Sequence, residues 1–378
     1  MPDRKPPGSG PRIEDLRKAL GKVEDPELHK DLITLNMIRD LKVQDGTVSF
    51  TLMLTTPACP LRDRIAADAR AAVQSLPGVR EVQIRMDASV PGGLPGGSVK
   101  LAARNVVAVA SGKGGVGKTT IAVNLAVCLA QKGSCVGLLD ADIYGPNVPT
   151  MMGIRDLPAP REDRILPAAA YGVKVISIGL MVKPGQPLVW RGPMLHSAVR
   201  QFLTDVEWGD LDYLIIDLPP GTGDVQISLG QLVRLSGGLI VTLPQKVSQE
   251  DALRGLEMFR MMDVPILGVI ENMSYWTGPD GKPVDLFGRG GGKSLAAQAG
   301  VPFLGEVPID PDVRIGGDTG RPVVVASPES PVSIAMREVT EKVAARISVV
   351  AIQGGGGKRG SSGGLRQDNP VDPVNPVG

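Results

Sequence analysis

Continuous apolar segments recur along the chain after residue 104, with helical stretches between them. The segments are NVVAVA (105–110), CVGLLD (135–140), YLIID (213–217), GLIVTL (238–243) and ILGVIEN (266–272). Apolar runs that alternate with helices indicate an α/β fold, in which a mostly parallel sheet is covered by helices on both faces. Ligands of such sheets bind at the carboxyl ends of the strands, so polar residues directly after these runs are the candidates for chemistry.

A different pattern precedes this region. Residues 13–20 and 61–76 have the apolar spacing of amphipathic helices, whereas residues 47–55 and 81–86 have the composition and alternation of strands. These elements predict a small N-terminal α/β domain over residues 11–89. Its size makes it a less suitable place for the main chemistry than the longer region that follows.

Two glycine-rich segments mark domain boundaries. VPGGLPGGS, from residue 90, has almost no apolar surface to bury and is typical of a hinge. GGGGKRGSSGG, from residue 354, is typical of a disordered tail. The predicted organisation is a flexible tail (1–10), the small domain (11–89), a hinge (90–103), a large α/β domain (104–349) and a disordered tail (350–378).

Charge and composition narrow the function classes. The 378 residues include 41 basic and 40 acidic ones, a balance that gives no support for a nucleic-acid partner. No segment has the character of a signal peptide or a membrane helix, so we expect a cytoplasmic protein with no membrane partner. Three cysteines are too few for a disulfide framework and fit a reducing compartment, and two histidines leave little material for a metal site.

The segment SGKGGVGKTT, residues 111–120, matches the phosphate-binding pattern G-x-x-x-x-G-K-[ST] at Gly112, Gly117, Lys118 and Thr119. An apolar run precedes it and a helical stretch follows it, as the pattern requires. Glycines let backbone N–H groups surround phosphate oxygens, and the helix dipole adds partial positive charge. We expect Lys118 to bridge the terminal phosphates as a catalytic residue and Thr119 to ligate Mg²⁺.

Aspartates follow two of the apolar runs. Asp217, in LIIDLPPGTGD, lies where a magnesium-binding carboxylate is expected, and its glycine-containing loop can rearrange with phosphate occupancy. Asp140 and Asp142 follow another run, in LLDADIYGPN. Asp142 is the better candidate for orienting the attacking water, because a strand-end aspartate often only caps the following turn.

The expected nucleotide is ATP, since no N-K-x-D or T-K-x-D segment for guanine recognition occurs in the sequence. Asn272, at the end of ILGVIEN, lies where a side-chain amide can read the adenine edge, although a turn residue is an equally good interpretation. The predicted nucleotide-binding residues are Gly112, Lys113, Gly114, Gly115, Val116, Gly117, Lys118, Thr119, Thr120 and Asn272.

The loop also contains Lys113, which the phosphate-binding pattern does not require. GKGGVGKTT resembles the deviant Walker A loop of the P-loop ATPase class that includes MinD, ParA and the nitrogenase iron protein. The resemblance implies that Lys113 reaches across a homodimer interface to the nucleotide of the partner subunit, as a further catalytic residue. Such a cation raises the rate of hydrolysis by about 10³ to 10⁵. Because the partner subunit would supply it, hydrolysis would require dimerisation.

Several motifs together resemble the Mrp-type iron-sulfur carrier ATPases over roughly residues 100 to 345. They are SGKGGVGKTT, DADIYGPNVPTMMG, DLPPGTGD, VTLPQKVSQEDALRG and ENMSY. VEDPELHKDLITLNMI and LTTPACPLRD are similar to the MIP18-type domain that is fused to many of these carriers. The resemblance implies an ATPase that transfers clusters to apoproteins and that has cluster scaffold proteins as further partners.

The sequence departs from this family at the expected cluster site. Many members have a C-x-x-C pair after the segment that corresponds to ENMSY, whereas this chain continues WTGPDGKPVDLFGRGGG. Cys128 and Cys135 are most simply core residues. Cys59 precedes a helix whose amino terminus would stabilise a thiolate, and it matches the single cysteine of the MIP18-type motif. Cys59 is thus the candidate ligand of a labile [4Fe-4S] cluster, although an inert small residue beside a turn stays an alternative.

Three hypotheses for function follow. The first is an ATP-hydrolysing homodimer that carries or assembles iron-sulfur clusters. The second is a positioning ATPase of the MinD or ParA kind, which the balanced charge and the polar C-terminal segment make less favourable. The third is an ATP-gated assembly scaffold that holds no cluster itself, which the missing cysteine pair favours.

Overall fold

The computed structural model describes residues 11–92, 98–99, 101–162, 164–181, 192–221 and 223–354. The predicted tail at 1–10 and residues 355–378 of the predicted C-terminal tail lie outside the described residues, as do hinge positions 93–97 and 100. Within the described part of the chain, no helix is both long and apolar enough to span a bilayer.

The N-terminal domain is a three-stranded sheet with helices packed against it. Its elements are α1 (Ile13–Leu20), β1 (Glu24–Asp25), β2 (Lys30–Asp31), β3 (Ile38–Gln44), β4 (Thr47–Leu54), α2 (Arg62–Gln74) and β5 (Glu81–Ala88). Strand β4 lies in the centre, antiparallel to β3 and parallel to β5. Alternate β4 residues, Phe50 and Leu52 among them, are buried with Leu16 and Ile65 of the two helices. Asp45 and Gly46 both have positive φ, the backbone that a tight hairpin between β3 and β4 requires.

The larger domain contains the long parallel sheet that the apolar runs predict. The strands of this domain are β6 (Ala103–Ser111), β7 (Val136–Asp140), β8 (Ala168–Ala170), β9 (Val173–Ser177), β10 (Leu211–Asp217), β11 (Gly237–Thr242), β12 (Ile266–Glu271), β13 (Trp276–Thr277), β14 (Pro283–Val284) and β15 (Phe303–Glu306). Strands β13 and β14 form a separate hairpin. Its helices are α3 (Lys118–Gln131), α4 (Val148–Met152), α5 (Gly192–Thr204), α6 (Asp224–Leu232), α7 (Lys246–Met261), α8 (Gly291–Ala299), α9 (Pro311–Thr319), α10 (Val323–Ala326) and α11 (Pro331–Gly354), and Ile178–Leu180 forms a 3-10 turn.

Among the described residues, eight strands form this sheet in the order β15-β12-β11-β6-β10-β7-β9-β8, and all neighbours are parallel except β8 and β9. Both faces are buried. Val107 and Val109 of β6 pack with α3 and α11, whereas Val106 and Ala108 of the same strand pack with α5 to α8. Burial on both faces explains why the strands read as uninterrupted apolar runs, and the predicted α/β class is confirmed.

The last helix passes the predicted domain boundary at residue 349. Helix α11 continues to Gly354, so the first part of the predicted tail, residues 350–354, is helical. Val349 and Ala351 are buried, and this packing continues the helix into a segment whose glycines favour an earlier end.

The N-terminal domain packs against the edge of the large sheet where β6 and β10 begin. The Tyr213 hydroxyl lies 3.1 Å from the Thr56 hydroxyl, and the Ser348 hydroxyl donates to the Thr55 carbonyl oxygen at 3.4 Å. Ala58 is fully buried within the core of the larger domain. We call this contact, at Thr55, Thr56, Ala58, Tyr213 and Ser348, the interdomain seam. It lies at the opposite end of the strands from the phosphate-binding loop.

Candidate nucleotide-binding site

The phosphate-binding loop joins the end of β6 to the start of α3. Gly115 and Gly117 have φ of 80° and 81°, a conformation that favours glycine. A Cβ atom on Gly112 would lie 2.0 Å from the carbonyl carbon of Asp251 on α7, so only glycine fits there. Gly114 and Gly115 have open space where a Cβ would be, which leaves their backbone accessible from the cavity.

Lys118 and Thr119, at the start of α3, meet Asp217 at the end of β10. The Lys118 amine lies 2.7 Å from Asp217 Oδ1, and the Thr119 hydroxyl donates to Asp217 Oδ2 at 2.7 Å. Lys118 is 6% exposed and Asp217 is fully buried. Burial raises the pKa of Asp217, and the charge of Lys118 opposes this effect. The sheet therefore brings Asp217 to two predicted residues, Lys118 and Thr119, that precede it by 99 and 98 positions.

Asp140 and Asp142 have different surroundings. Asp140 is fully buried and accepts hydrogen bonds from the Ser177 hydroxyl at 2.8 Å and from the backbone N–H groups of Asp142 and Val148. Burial, followed by the neighbouring Asp217 charge, raises the pKa of Asp140 to about 8. Asp142 lines the cavity instead, with its carboxylate 3.7 Å from the Lys118 amine. Asp142 thus faces the cavity, as the predicted water-orienting residue must, whereas Asp140 braces the loop that carries it.

The loop residues and Asn272 line one cavity of about 790 Å³. Lys113 is half-buried on its wall, and its carbonyl oxygen accepts a hydrogen bond from the Ser111 hydroxyl at 3.0 Å. The Asn272 amide nitrogen donates to the Val116 carbonyl oxygen at 2.8 Å. Asn272 therefore supports the phosphate-binding loop directly, and its predicted contact with adenine stays a prediction.

The far end of the cavity contains residues that the sequence analysis missed. They are Met151, Met273, Pro308, Ile309, Pro311, Val313 and Arg314. Most of these side chains are apolar, and Asp310 and Asp318 line the cavity as well. The sequence signal for this part of the wall is the Asp310-Pro311 start of helix α9, where the Asp310 side chain accepts from the Asp312 N–H. Ser177 was missed as well, because its partner Asp140 lies on another strand.

The donor set at Thr119 and Asp217 fits a magnesium ion. Mg²⁺ prefers oxygen ligands and takes only one or two from the protein, the rest coming from water and substrate phosphates. A hydroxyl and a carboxylate 2.7 Å apart beside the phosphate-binding loop are such ligands.

Cys59 differs from the prediction of a stabilised thiolate. Its side chain is 8% exposed, and burial raises the pKa of the thiol to about 11. The Leu61 backbone N–H opposes this shift, as a helix start should, but burial outweighs it and the charges of Glu27, Asp25 and Glu341 add to it. Cys128 is also buried with a raised pKa, and Cys135 is exposed. No group of three or more Cys, His, Asp or Glu residues in the described ranges could hold a metal ion.

Two family models match the chain. Residues 102–344 match the ParA family model, described as NUBPL iron-transfer P-loop NTPase, and residues 13–84 match a model described as iron-sulfur cluster assembly protein. The match at 13–84 falls within the predicted small domain, and the match at 102–344 begins two residues before the predicted start of the larger domain.

Named relatives cover most of the chain. An iron-sulfur cluster carrier protein of Synechocystis is 50% identical over an alignment of 339 residues, which covers 87% of this chain and 96% of the relative. The protein of that name in Deinococcus radiodurans is also 50% identical, over 88% of this chain and 95% of the relative. The chloroplastic Fe-S cluster assembly factor HCF101 of Arabidopsis thaliana is 42% identical over 85% of this chain and 61% of the relative.

A solved structure matches the larger domain. A nucleotide-binding protein from Archaeoglobus fulgidus, in complex with ADP, superposes with a TM-score of 0.54 and is 35% identical. The superposition covers 62% of this chain and 91% of the other.

Proposed function

The chain belongs to the family of iron-transfer P-loop NTPases that includes the iron-sulfur cluster carrier proteins, and from this premise we propose that it is an ATP-hydrolysing homodimer. In this proposal it carries or assembles iron-sulfur clusters and transfers them to apoproteins. The clusters come from scaffold proteins, and the setting is the cytoplasm.

The observation that carries this proposal is the convergence of Lys118, Thr119 and Asp217: Lys118 and Thr119 line the cavity of the phosphate-binding loop and both contact the buried Asp217. In the proposed mechanism the loop N–H groups and Lys118 bind the phosphates. Thr119 and Asp217 hold Mg²⁺, which neutralises charge on the phosphates when it is bound. Asp142 orients the attacking water, and the apolar end of the cavity with Asn272 receives the base.

Lys113 is the proposed link between hydrolysis and dimerisation. Its position on the cavity wall, separate from the buried Lys118, supports a role at the mouth of the site. A lysine supplied by the partner subunit would place a second cation at the transferring phosphate only when two chains meet. Turnover per chain should then rise with protein concentration.

Cluster binding is the less supported part of the proposal. Thiolates are the usual ligands of iron-sulfur clusters, and two copies of Cys59 supply two, so a further ligand or an external thiol would be needed. The burial of Cys59 and its raised pKa favour the alternative of an ATP-gated scaffold that holds no cluster itself.

Anaerobic reconstitution with iron and sulfide tests this choice. Iron per dimer and Mössbauer spectra would be recorded for the wild type, for Cys59→Ala and for the control Cys135→Ala. A [4Fe-4S] signal that disappears in Cys59→Ala and persists in the control supports a carrier with Cys59 as ligand. A wild type that holds no stable cluster supports the scaffold. Phosphate release from ATP is measured in the same preparations, and its absence would contradict both.

A further inference from the structure

The segment Glu271–Trp276, ENMSYW, connects the nucleotide cavity to the β13–β14 hairpin. It begins at the end of β12, where Asn272 donates to Val116 of the phosphate-binding loop. Met273 lines the cavity, and Trp276 is the first residue of the hairpin. Trp276, in the hairpin, is therefore only four residues from Asn272, which contacts the phosphate-binding loop.

The first residue of this segment, Glu271, is a fully buried carboxylate. It accepts hydrogen bonds from the Ser274 hydroxyl at 2.5 Å, from the Gly290 N–H at 2.9 Å and from the Gly292 N–H at 2.5 Å. Gly290 and Gly292 lie at the start of α8, on the far side of the hairpin. Glu271 therefore ties together the two ends of the loop that carries the hairpin, through charge-assisted hydrogen bonds.

Two glycines at the start of α8 pack too closely against their neighbours to carry a side chain. A Cβ atom on Gly291 would lie 2.2 Å from the Pro244 carbonyl oxygen, and one on Gly292 would lie 2.9 Å from the Glu271 Cβ. The backbone at Gly292 can thus approach Glu271 closely, and that at Gly291 can approach Pro244, only because these residues have no side chain.

The same segment also forms part of the cavity wall through backbone pairing. Ser274 N–H donates to the Val307 carbonyl oxygen at 3.0 Å, and Ile309 N–H donates to the Tyr275 carbonyl oxygen at 2.6 Å. Ile309 lines the cavity. Met273, between the two tethered residues Asn272 and Ser274, has φ of 52°, a backbone conformation that is unfavourable for a residue with a side chain.

We propose that Glu271 is a positioning residue that couples nucleotide binding to the order of the hairpin. Its carboxylate holds the loop ends, and Asn272 and Met273 carry that constraint to the phosphate-binding loop and the cavity wall. The inference rests on the proposed binding of nucleotide in this cavity. Because coupling between two sites is reciprocal, weakening the hold of Glu271 must weaken nucleotide binding, and nucleotide must protect the hairpin.

Amide hydrogen exchange on the full chain, with and without MgADP, tests the coupling, and calorimetry measures MgADP affinity. In the wild type we expect MgADP to slow exchange over residues 274–292 by about tenfold. In Glu271→Gln, an amide NH₂ group replaces one of the two carboxylate oxygens. This group can only donate, so it cannot accept from the backbone N–H that it faces. We expect this variant to lose most of the MgADP effect and to bind MgADP about threefold to tenfold more weakly.

Two further variants separate coupling from folding. Ser274→Ala removes one donor to Glu271 without adding a buried charge or bulk, and a smaller loss in the same direction is expected. Glu257→Gln is the matched control, since Glu257 pairs with Arg260 on the exposed side of α7. It should behave as the wild type in both measurements.

The outcomes distinguish the two proposals. Absence of MgADP binding to the wild type would overturn the proposed function and the coupling together. Binding without protection of residues 274–292, or equal protection in the wild type, Glu271→Gln and Ser274→Ala, would overturn only the role of Glu271.

Discussion

The two edges of the large sheet are closed by different kinds of polar contact. At the carboxyl edge, Lys118 and Thr119 line an open cavity and form a charged cluster with the buried Asp217. At the amino edge, the interdomain seam joins uncharged groups such as the hydroxyls of Tyr213 and Thr56. The same strand, β10, supplies a residue to both.

The two edges also differ in how many charged groups they bury. Buried charges are costly unless they are paired, and at the carboxyl edge two carboxylates share one lysine: the Lys118 amine lies 2.7 Å from Asp217 and 3.7 Å from Asp142. A divalent cation would compensate the excess of negative charge. The seam has no such imbalance at Tyr213 and Thr56, and the thiol of Cys59 near it is kept protonated.

The largest effect is expected from Lys118→Ala. The change removes the charge at the phosphates and leaves Asp217 without its cation, so ATP hydrolysis should fall by about 10³ or more. Phosphate release checks the result, and a thermal melt shows whether the variant is folded. Lys132→Ala, which breaks a partly exposed ion pair with Glu341, is the control. Undiminished turnover in Lys118→Ala would contradict the assignment of the carboxyl edge as the catalytic site.

Lys113→Ala should separate turnover from binding. We expect turnover to fall by about 10³, because the proposed cation acts at the transferring phosphate. Nucleotide affinity should change much less, since Lys118 and the loop backbone remain. Calorimetry with MgADP and phosphate release over a range of protein concentrations measure the two quantities. Equal losses in both would contradict a role in trans.

The reactivity of the cysteine thiols tests whether Cys59, near the seam, is buried and protonated. At pH 8 about one Cys59 thiol in a thousand is ionised, given its pKa of about 11, and the side chain is buried. Iodoacetamide should therefore label the exposed Cys135 first, with Cys59 about 100-fold slower. The Cys59 rate should rise as pH approaches 11, because its thiolate fraction increases. Mass spectrometry of peptides measures both rates, and protein unfolded in urea, where the difference should disappear, is the control.

The smallest effect is expected at the seam itself. Tyr213→Phe removes the hydroxyl that pairs with Thr56 and should lower the free energy of unfolding by about 1 kcal/mol. Thr56→Val removes the other partner, and urea denaturation of both single variants and the double variant gives the coupling energy. Strictly additive losses would show that the pair does not stabilise the seam, and a fall in ATPase activity in Tyr213→Phe would show that the two edges are not independent.

Sequence patterns predicted the carboxyl edge because its signals are local. The phosphate-binding loop is contiguous, and Asp217 follows a buried strand, so a parallel sheet must bring it near the loop. The strands β6, β7, β10, β11 and β12 lie within two residues of their predicted ends. Helix α1 has the predicted bounds.

What the sequence did not reveal depends on partners that are distant along the chain. Cys59 has the local signal of a stabilised thiolate, but its pKa is decided by burial and by charges that include Glu341 of α11. The sequence around Ser177 has no signal of a role in the site. Only the pairing of β9 with β7 places Ser177 beside Asp140. Strand β3 was missed because a bulge between Arg39 and Lys42 interrupts its alternation.

The seam also determines how the two domains respond to cutting the chain. Ala58 and Val90 are buried in the core of the larger domain, and Arg104 and Asn105 hydrogen-bond to the carbonyl oxygens of Val90 and Pro91. A protease site engineered at residues 93–97 should therefore yield two fragments that elute together on gel filtration. The pieces would separate only in denaturant, as in a protein reconstituted from complementary fragments.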